Sequence, residues 1–121
     1  MPSRRILSFK YALEGIWEAF KEEPNLKVHF LFGLIVIILG FLLQISRTDW
    51  IATIILIGLV ISLELTNTAI EAVVDSLTDK QHPGAKLAKD ISAGAVLIVS
   101  IAALIVGLII FLPYFETFLS K

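Results

Sequence analysis

Three stretches of the chain carry no charged side chain: Phe30–Leu43, Ile51–Leu63 and Ile91–Pro113. A helix needs about 20 apolar residues to cross a bilayer. The third stretch meets that length unaided. The first reaches it by including Val28, His29 and Gln44, and the second only if its helix continues into the polar segment that starts at Glu64. Ahead of them, residues 4–22 place Ile6, Phe9, Leu13, Ile16, Trp17 and Phe20 on one helical face. Lys10, Glu14, Glu18, Lys21 and Glu22 fall on the other, as in a helix lying flat in a membrane interface. Pro24 then marks a turn, because proline is tolerated only near the first turn of a helix.

The pattern predicts an all-α integral membrane protein, one unit over residues 1–121, with a surface helix over 4–22 and spanning helices over 27–45, 50–76 and 85–113. Ser46-Arg47-Thr48-Asp49 reads as the first connection, with Asp49 capping the second span. Thr78–Gly84, with Pro83 and Gly84 as breakers, reads as the second connection. Gly33 and Gly40, seven apart on one face, and Ser92, Ala93, Gly94 and Ala95 are small residues of the kind that let membrane helices approach closely.

Composition agrees: 57% of the 121 residues are hydrophobic and 17% charged, more apolar surface than a water-soluble domain of this length buries. The absence of cysteine excludes disulfides and thiolate metal sites. With only His29 and His82, on separate segments, a zinc site is not expected. Four acidic side chains precede the first apolar run and no small-residue cleavage site follows it, so the chain is expected to be inserted whole. A net charge of −1 gives no reason to expect a nucleic-acid partner.

The distribution of charge says more than its sum. Arg4, Arg5, Lys10, Lys21 and Lys27 precede the first span, and Lys80, Lys86 and Lys89 lie between the second and third. Only Arg47 and Lys121 fall on the other side. Basic residues favour the cytoplasmic side, so the N-terminus is expected inside and the C-terminus outside. All acidic residues except Asp49 and Glu116 then share the cytoplasmic surface, where any reaction is expected.

That surface holds the segment ELTNTAIEAVVD, in which Glu64, Asn67, Thr68, Glu71 and Asp75 share one helical face while Leu63, Leu65, Ile70, Val73 and Val74 keep its flanks apolar. An ionised carboxylate near the bilayer costs about 2.5 kcal/mol or more unless it is paired, bound to a cation or functional. Glu64, preceded by thirteen uncharged residues, is the strongest candidate; Asp75, furthest out, reads equally well as solvent-facing. In HPGAKLAKD, Lys86, Lys89 and Asp90 approach the third span on the same side. Carboxylates that hold Mg²⁺ beside lysines that neutralise phosphate are what a polyphosphate requires. His82 could touch a nucleotide or cap the loop. No GxxxxGK loop, kinase glycine loop or nucleophile elbow is present.

ELTNTAIEAVVD followed by HPGAKLAKDISAGAVL, in a three-span chain with an amphipathic first helix, closely resembles the small prokaryotic diacylglycerol kinase and undecaprenol kinase family across essentially the whole chain. The resemblance rests on Glu-x-x-Asn-x-x-x-Glu and the later Ala-Lys-Asp. It implies a homotrimer with active sites between subunits, transferring the γ-phosphoryl of MgATP to a lipid hydroxyl. Glu64 is implied as general base, Glu71 and Glu23 as ligands of Mg²⁺, and Asn67 as a holder of the phosphate region. Lys89, Asp90, Lys80, Gln81, His82, Arg4 and Tyr11 are implied in nucleotide binding. Ser8–Leu13, Trp17–Phe20, Asn25, His29 and Ala93 would line the lipid path. HPGAKLAKD and FLPYF look more like undecaprenol kinases than enteric-type diacylglycerol kinases.

Two other classes compete. A small proton-coupled transporter would also carry an intramembrane glutamate, but its polar groups belong at mid-bilayer rather than on one side. A structural protein using the stripe for subunit contacts would be indifferent to Glu64→Gln.

Overall fold

The computed structural model describes residues 3–79 and 81–121. They form four helices: α1 (Arg4–Glu22), α2 (Pro24–Leu43), α3 (Arg47–Leu77) and α4 (Pro83–Leu119). The last three are each long and apolar enough to cross a membrane. With 31 and 37 residues, α3 and α4 extend for roughly 46 and 55 Å at 1.5 Å per residue, well beyond a hydrocarbon core of about 30 Å. In α3 the surplus is the segment that follows Glu64. The helix runs through it unbroken, so its polar face is a direct extension of a spanning helix.

One residue joins α1 to α2. Glu23 is extended (φ −107°, ψ 107°) and serves as C-cap of α1 and N-cap of α2, with Pro24 opening the new helix three residues before the expected start. Trp17 stacks on Phe20 at 6.0 Å, and Phe20 meets Phe30 of α2 edge-on at 5.4 Å, tying the end of α1 to the bundle. Apart from the half-buried Leu7 and Ala19, the rest of α1 is exposed.

The far end corrects two expectations. Asp49 does not cap α3: Ser46 does, accepting the Asp49 N–H on its hydroxyl at 3.1 Å, because α3 already begins at Arg47. The Asp49 carboxylate instead accepts the Tyr114 hydroxyl at 2.7 Å, and the same phenol oxygen accepts the Ser46 N–H at 2.9 Å. Nor does the last helix stop at Pro113. Proline has no N–H for the preceding turn, but membrane helices tolerate this where neighbours re-satisfy the backbone. Here the next residue, Tyr114, is tied across the bundle to Ser46 and Asp49, and α4 continues through Pro113 to Leu119. The first span also ends earlier than 45, at Leu43, with Gln44 left-handed (φ 53°) and Ile45 buried in the turn.

α4 packs along α3 more extensively than any other pair of helices. Gly40 is the closest approach: a Cβ there would lie 2.7 Å from the Trp50 ring. Gly94, by contrast, faces open space, so close packing within the chain does not explain it. Among the described residues only Leu26, Ile45 and Ile110 are buried apolar side chains, while Phe41, Ile98 and Ile109 stay largely exposed. Such a surface is stable only against lipid or further protein.

Candidate active site

Among the described residues Glu64 is one of two buried polar side chains, 7% exposed, on the face of α3 that meets α2 and α4. His29 of α2 brings Nδ1 to 3.1 Å from its Oε1, close enough for an ion pair if the imidazole is charged but not aligned as a hydrogen bond. Among the described residues no aligned donor reaches the Glu64 carboxylate, so a buried acceptor faces a cleft with capacity left over.

One turn further along α3 the polar face is tied to α4. The Asn67 amide donates from Nδ2 to Glu71 Oε1 at 3.3 Å, and its Oδ1 accepts the Ser92 hydroxyl at 2.5 Å. Glu23 joins from the α1–α2 junction. Partial burial, then the negative charges of Glu71, Glu64 and Glu22, push its carboxyl above the ordinary value of 4.5. Glu23 is half-buried and Glu22 exposed, which distinguishes two neighbours that sequence alone left hard to separate.

Three cavities frame these groups. A polar cleft of about 310 Å³ is lined by Asn25, His29, Glu64, Asn67, Ala93 and Ser100, among others. His29 and Ser100 are also walls of an apolar cavity of about 380 Å³ that runs between α2, α3 and α4 to Phe111 and Phe115. Glu64 therefore lines a polar cleft that shares two wall residues with an apolar cavity. The third cavity, about 190 Å³, lies at the end of α3 between Asp75, Asp79, Lys86, Lys89 and Asp90.

The structure brings together much of what the sequence singled out. Glu64, Asn67, Asn25, His29 and Ala93 share one cleft. Lys89 donates to Asp75 at 2.8 Å across the α3–α4 junction, and Lys86 to Asp90 at 2.5 Å. An ammonium has three donors, so these pairings leave each lysine able to take a phosphate oxygen. His82 resolves as a cap: its Nδ1 accepts the Ala85 N–H at 3.1 Å at the start of α4. The Gln81 N–H donates to Asp79 at 3.1 Å. Trp17 and Phe20 serve the aromatic contact between α1 and α2. Arg4, Ser8, Tyr11 and Leu13 are exposed on α1 and line none of the three cavities. Lys80 lies outside the described residues.

Sequence reasoning undervalued two positions. Asp75 is the partner of Lys89 rather than a bystander, and Ser92, read as a small packing residue, is hydrogen-bonded into the polar face. The available signal for Ser92 was its place three residues after Lys89, on the same side of α4.

Among the described residues no three acidic or imidazole side chains converge on one point. Mg²⁺, however, commonly takes only one or two carboxylates and completes its octahedron with water and substrate phosphate. The mutual repulsion of Glu23 and Glu71 is the kind of charge excess that a dication relieves, so this donor set fits Mg²⁺ arriving with a phosphate.

Fold and site define a class: a helical membrane protein with a carboxylate-rich polar face at one end of its bundle, next to an apolar cavity. The model of the prokaryotic diacylglycerol kinase family matches residues 10–111. The chain is 48% identical over 111 residues to the undecaprenol kinase of Bacillus subtilis (strain 168), covering 92% of this chain and 90% of that protein. It is 41% identical over 109 residues to the diacylglycerol kinase of Synechocystis, covering 89% of this chain and 62% of that one. With the diacylglycerol kinase of Escherichia coli (strain K12) it shares 29% identity over 113 residues, 93% of each chain. The chain belongs to the prokaryotic diacylglycerol kinase family and is a lipid kinase.

Proposed function

We propose that this chain transfers the γ-phosphoryl group of ATP to the hydroxyl of undecaprenol, ahead of diacylglycerol, at the cytoplasmic face of a bacterial cytoplasmic membrane. The observation that carries the reading is the position of Glu64, buried beside the two residues, His29 and Ser100, that a polar cleft and an apolar cavity share. A lipid alcohol is amphipathic in the same sense. Its tail occupies apolar space while its hydroxyl reaches the carboxylate.

In this reading Glu64 takes the hydroxyl proton as the oxygen attacks the γ-phosphorus and the bond to ADP breaks, leaving a lipid phosphate. Glu23 and Glu71 hold Mg²⁺, which when bound supplies charge neutralisation at the β- and γ-phosphates. Nucleotide binding is assigned to Lys89 and Asp90, with Lys80, Gln81 and His82. Asn67 fixes Glu71, a contact supported by its 3.3 Å hydrogen bond. The burial of Glu64 limits the water that would compete with the lipid hydroxyl for the phosphoryl group. A homotrimer with sites between subunits accords with the large exposed apolar surface, and with Arg4 and Tyr11 standing away from the cleft of their own chain.

The choice of lipid rests on the 48% identity to an undecaprenol kinase. It is tested by transfer from labelled MgATP in mixed micelles offering undecaprenol and diacylglycerol together. More label on undecaprenol is expected. A preference for diacylglycerol would move the enzyme to phospholipid turnover, and no label on either would reject the reading.

A further inference from the structure

We propose that Ser92 is a positioning residue for the metal-binding carboxylate, acting through Asn67; the inference rests on the kinase reading above. Its basis is the direction of the hydrogen bonds. Ser92 Oγ is 2.5 Å from Asn67 Oδ1 and 3.0 Å from the Lys89 carbonyl, while Asn67 Nδ2 is 3.3 Å from Glu71 Oε1. An amide can be turned over, exchanging its oxygen and nitrogen, unless its neighbours forbid it. Here they do. An ionised Glu71 accepts only, so Asn67 must present its NH₂ to it, which turns Oδ1 toward α4. Two oxygens at 2.5 Å then require a proton between them, and the Ser92 hydroxyl is the group that has one. The orientation of Asn67 is thus set by Glu71, and the Ser92 hydroxyl, donating to Oδ1, holds that amide in place from α4.

The consequence is a relay between helices. α3 carries Asn67 and Glu71, α4 carries Ser92, and Ser92 is one turn from Lys89, which bonds Asp75 on α3. Replacing Ser92 with alanine leaves Asn67 Oδ1 without its donor from α4, so the amide that bonds Glu71 is no longer held in place. Partners that orient a metal ligand typically change metal affinity by about 10- to 100-fold when removed. Ser92 acts through an intermediate, so the lower end applies.

The test compares wild type, Ser92→Ala and Ser92→Thr, each purified whole in mixed micelles. Ser92→Ala is expected to raise the Mg²⁺ concentration for half-maximal transfer about tenfold while kcat at saturating Mg²⁺ stays within about twofold. Mn²⁺ affinity, read by electron paramagnetic resonance with a non-hydrolysable ATP analogue, should fall by a similar factor. Ser92→Thr, which keeps the hydroxyl, should restore both. An unchanged Mn²⁺ affinity in Ser92→Ala, or a loss of kcat and thermal stability without a change in metal requirement, would reduce Ser92 to packing and overturn the proposal. Failure of the kinase reading shows separately, as a wild-type protein that labels no lipid. The Mn²⁺ titration still judges Ser92 in that case.

Discussion

Both ends of the α3–α4 pair carry a carboxylate tied across the bundle, and the two ties differ in kind. At the end of the 44–46 turn, Asp49 accepts the Tyr114 hydroxyl, and that oxygen accepts the Ser46 N–H, so Tyr114 both gives and receives a bond. Toward the other end, Glu64 is buried and among the described residues has no aligned donor, and partial burial together with the carboxylates around it pushes the Glu23 carboxyl above its ordinary value. A satisfied network contributes rigidity and has nothing left to bind. An unsatisfied one is costly in the free protein and is relieved by a ligand, which under the proposed function is a dication, a phosphate and a hydroxyl. The position of unsatisfied charge, more than the number of polar residues, separates the site from the clasp.

The comparison sharpens through substitutions that act at one end only. Glu71→Gln has the largest expected effect: the Mg²⁺ requirement for nucleotide binding should rise by about tenfold or more, and an unchanged Mg²⁺ titration would remove Glu71 from the site. Tyr114→Phe strips the clasp of its hydroxyl and should lower stability by about 1 kcal/mol, seen as a lower midpoint of thermal unfolding in micelles. Its kcat should stay within about twofold, and a large loss of turnover would show that the two ends are coupled.

A smaller effect reports the frustration directly. The folded-state pKa of Glu23 lies above 4.5, so the folded protein favours its protonated form. Its ionisation therefore costs stability as pH rises through the folded pKa, and the cost is absent below 4.5. Glu23→Gln, measured without Mg²⁺, should raise thermal stability at neutral pH and leave it unchanged near pH 4, while Glu22→Gln should do neither. Addition of Mg²⁺ with an ATP analogue should remove the advantage. Smallest of all, Gln44→Gly should stabilise the turn by roughly 0.5–1 kcal/mol, because glycine adopts φ 53° without the clash that a side chain meets.

Much of this was legible before the fold was known, for a physical reason: a bilayer forbids charge so strongly that the spans and the polar extension of α3 appear directly in the sequence. Helical periodicity likewise put Glu64, Asn67 and Glu71 on one face. What periodicity cannot report is contact between helices. Asp75, which is exposed, was left open between site and solvent because its partner Lys89 is fourteen residues away, and Ser92 read as packing because its partner Asn67 is twenty-five away. The errors at Asp49 and Pro113 share one source: Tyr114, whose long-range bonds hold the first residues of α3 and carry α4 past its proline. Arg4 and Tyr11 came from resemblance alone, and the fold of one chain leaves them apart from the cleft.

The most direct measurement is transfer of labelled phosphate to undecaprenol by Glu64→Gln beside the wild type, with nucleotide affinity determined on the same samples. With Glu64 as the base, the variant binds MgATP within about threefold of normal and loses about 10²-fold or more in turnover. Turnover retained within about tenfold would contradict that role and return the buried carboxylate to structure.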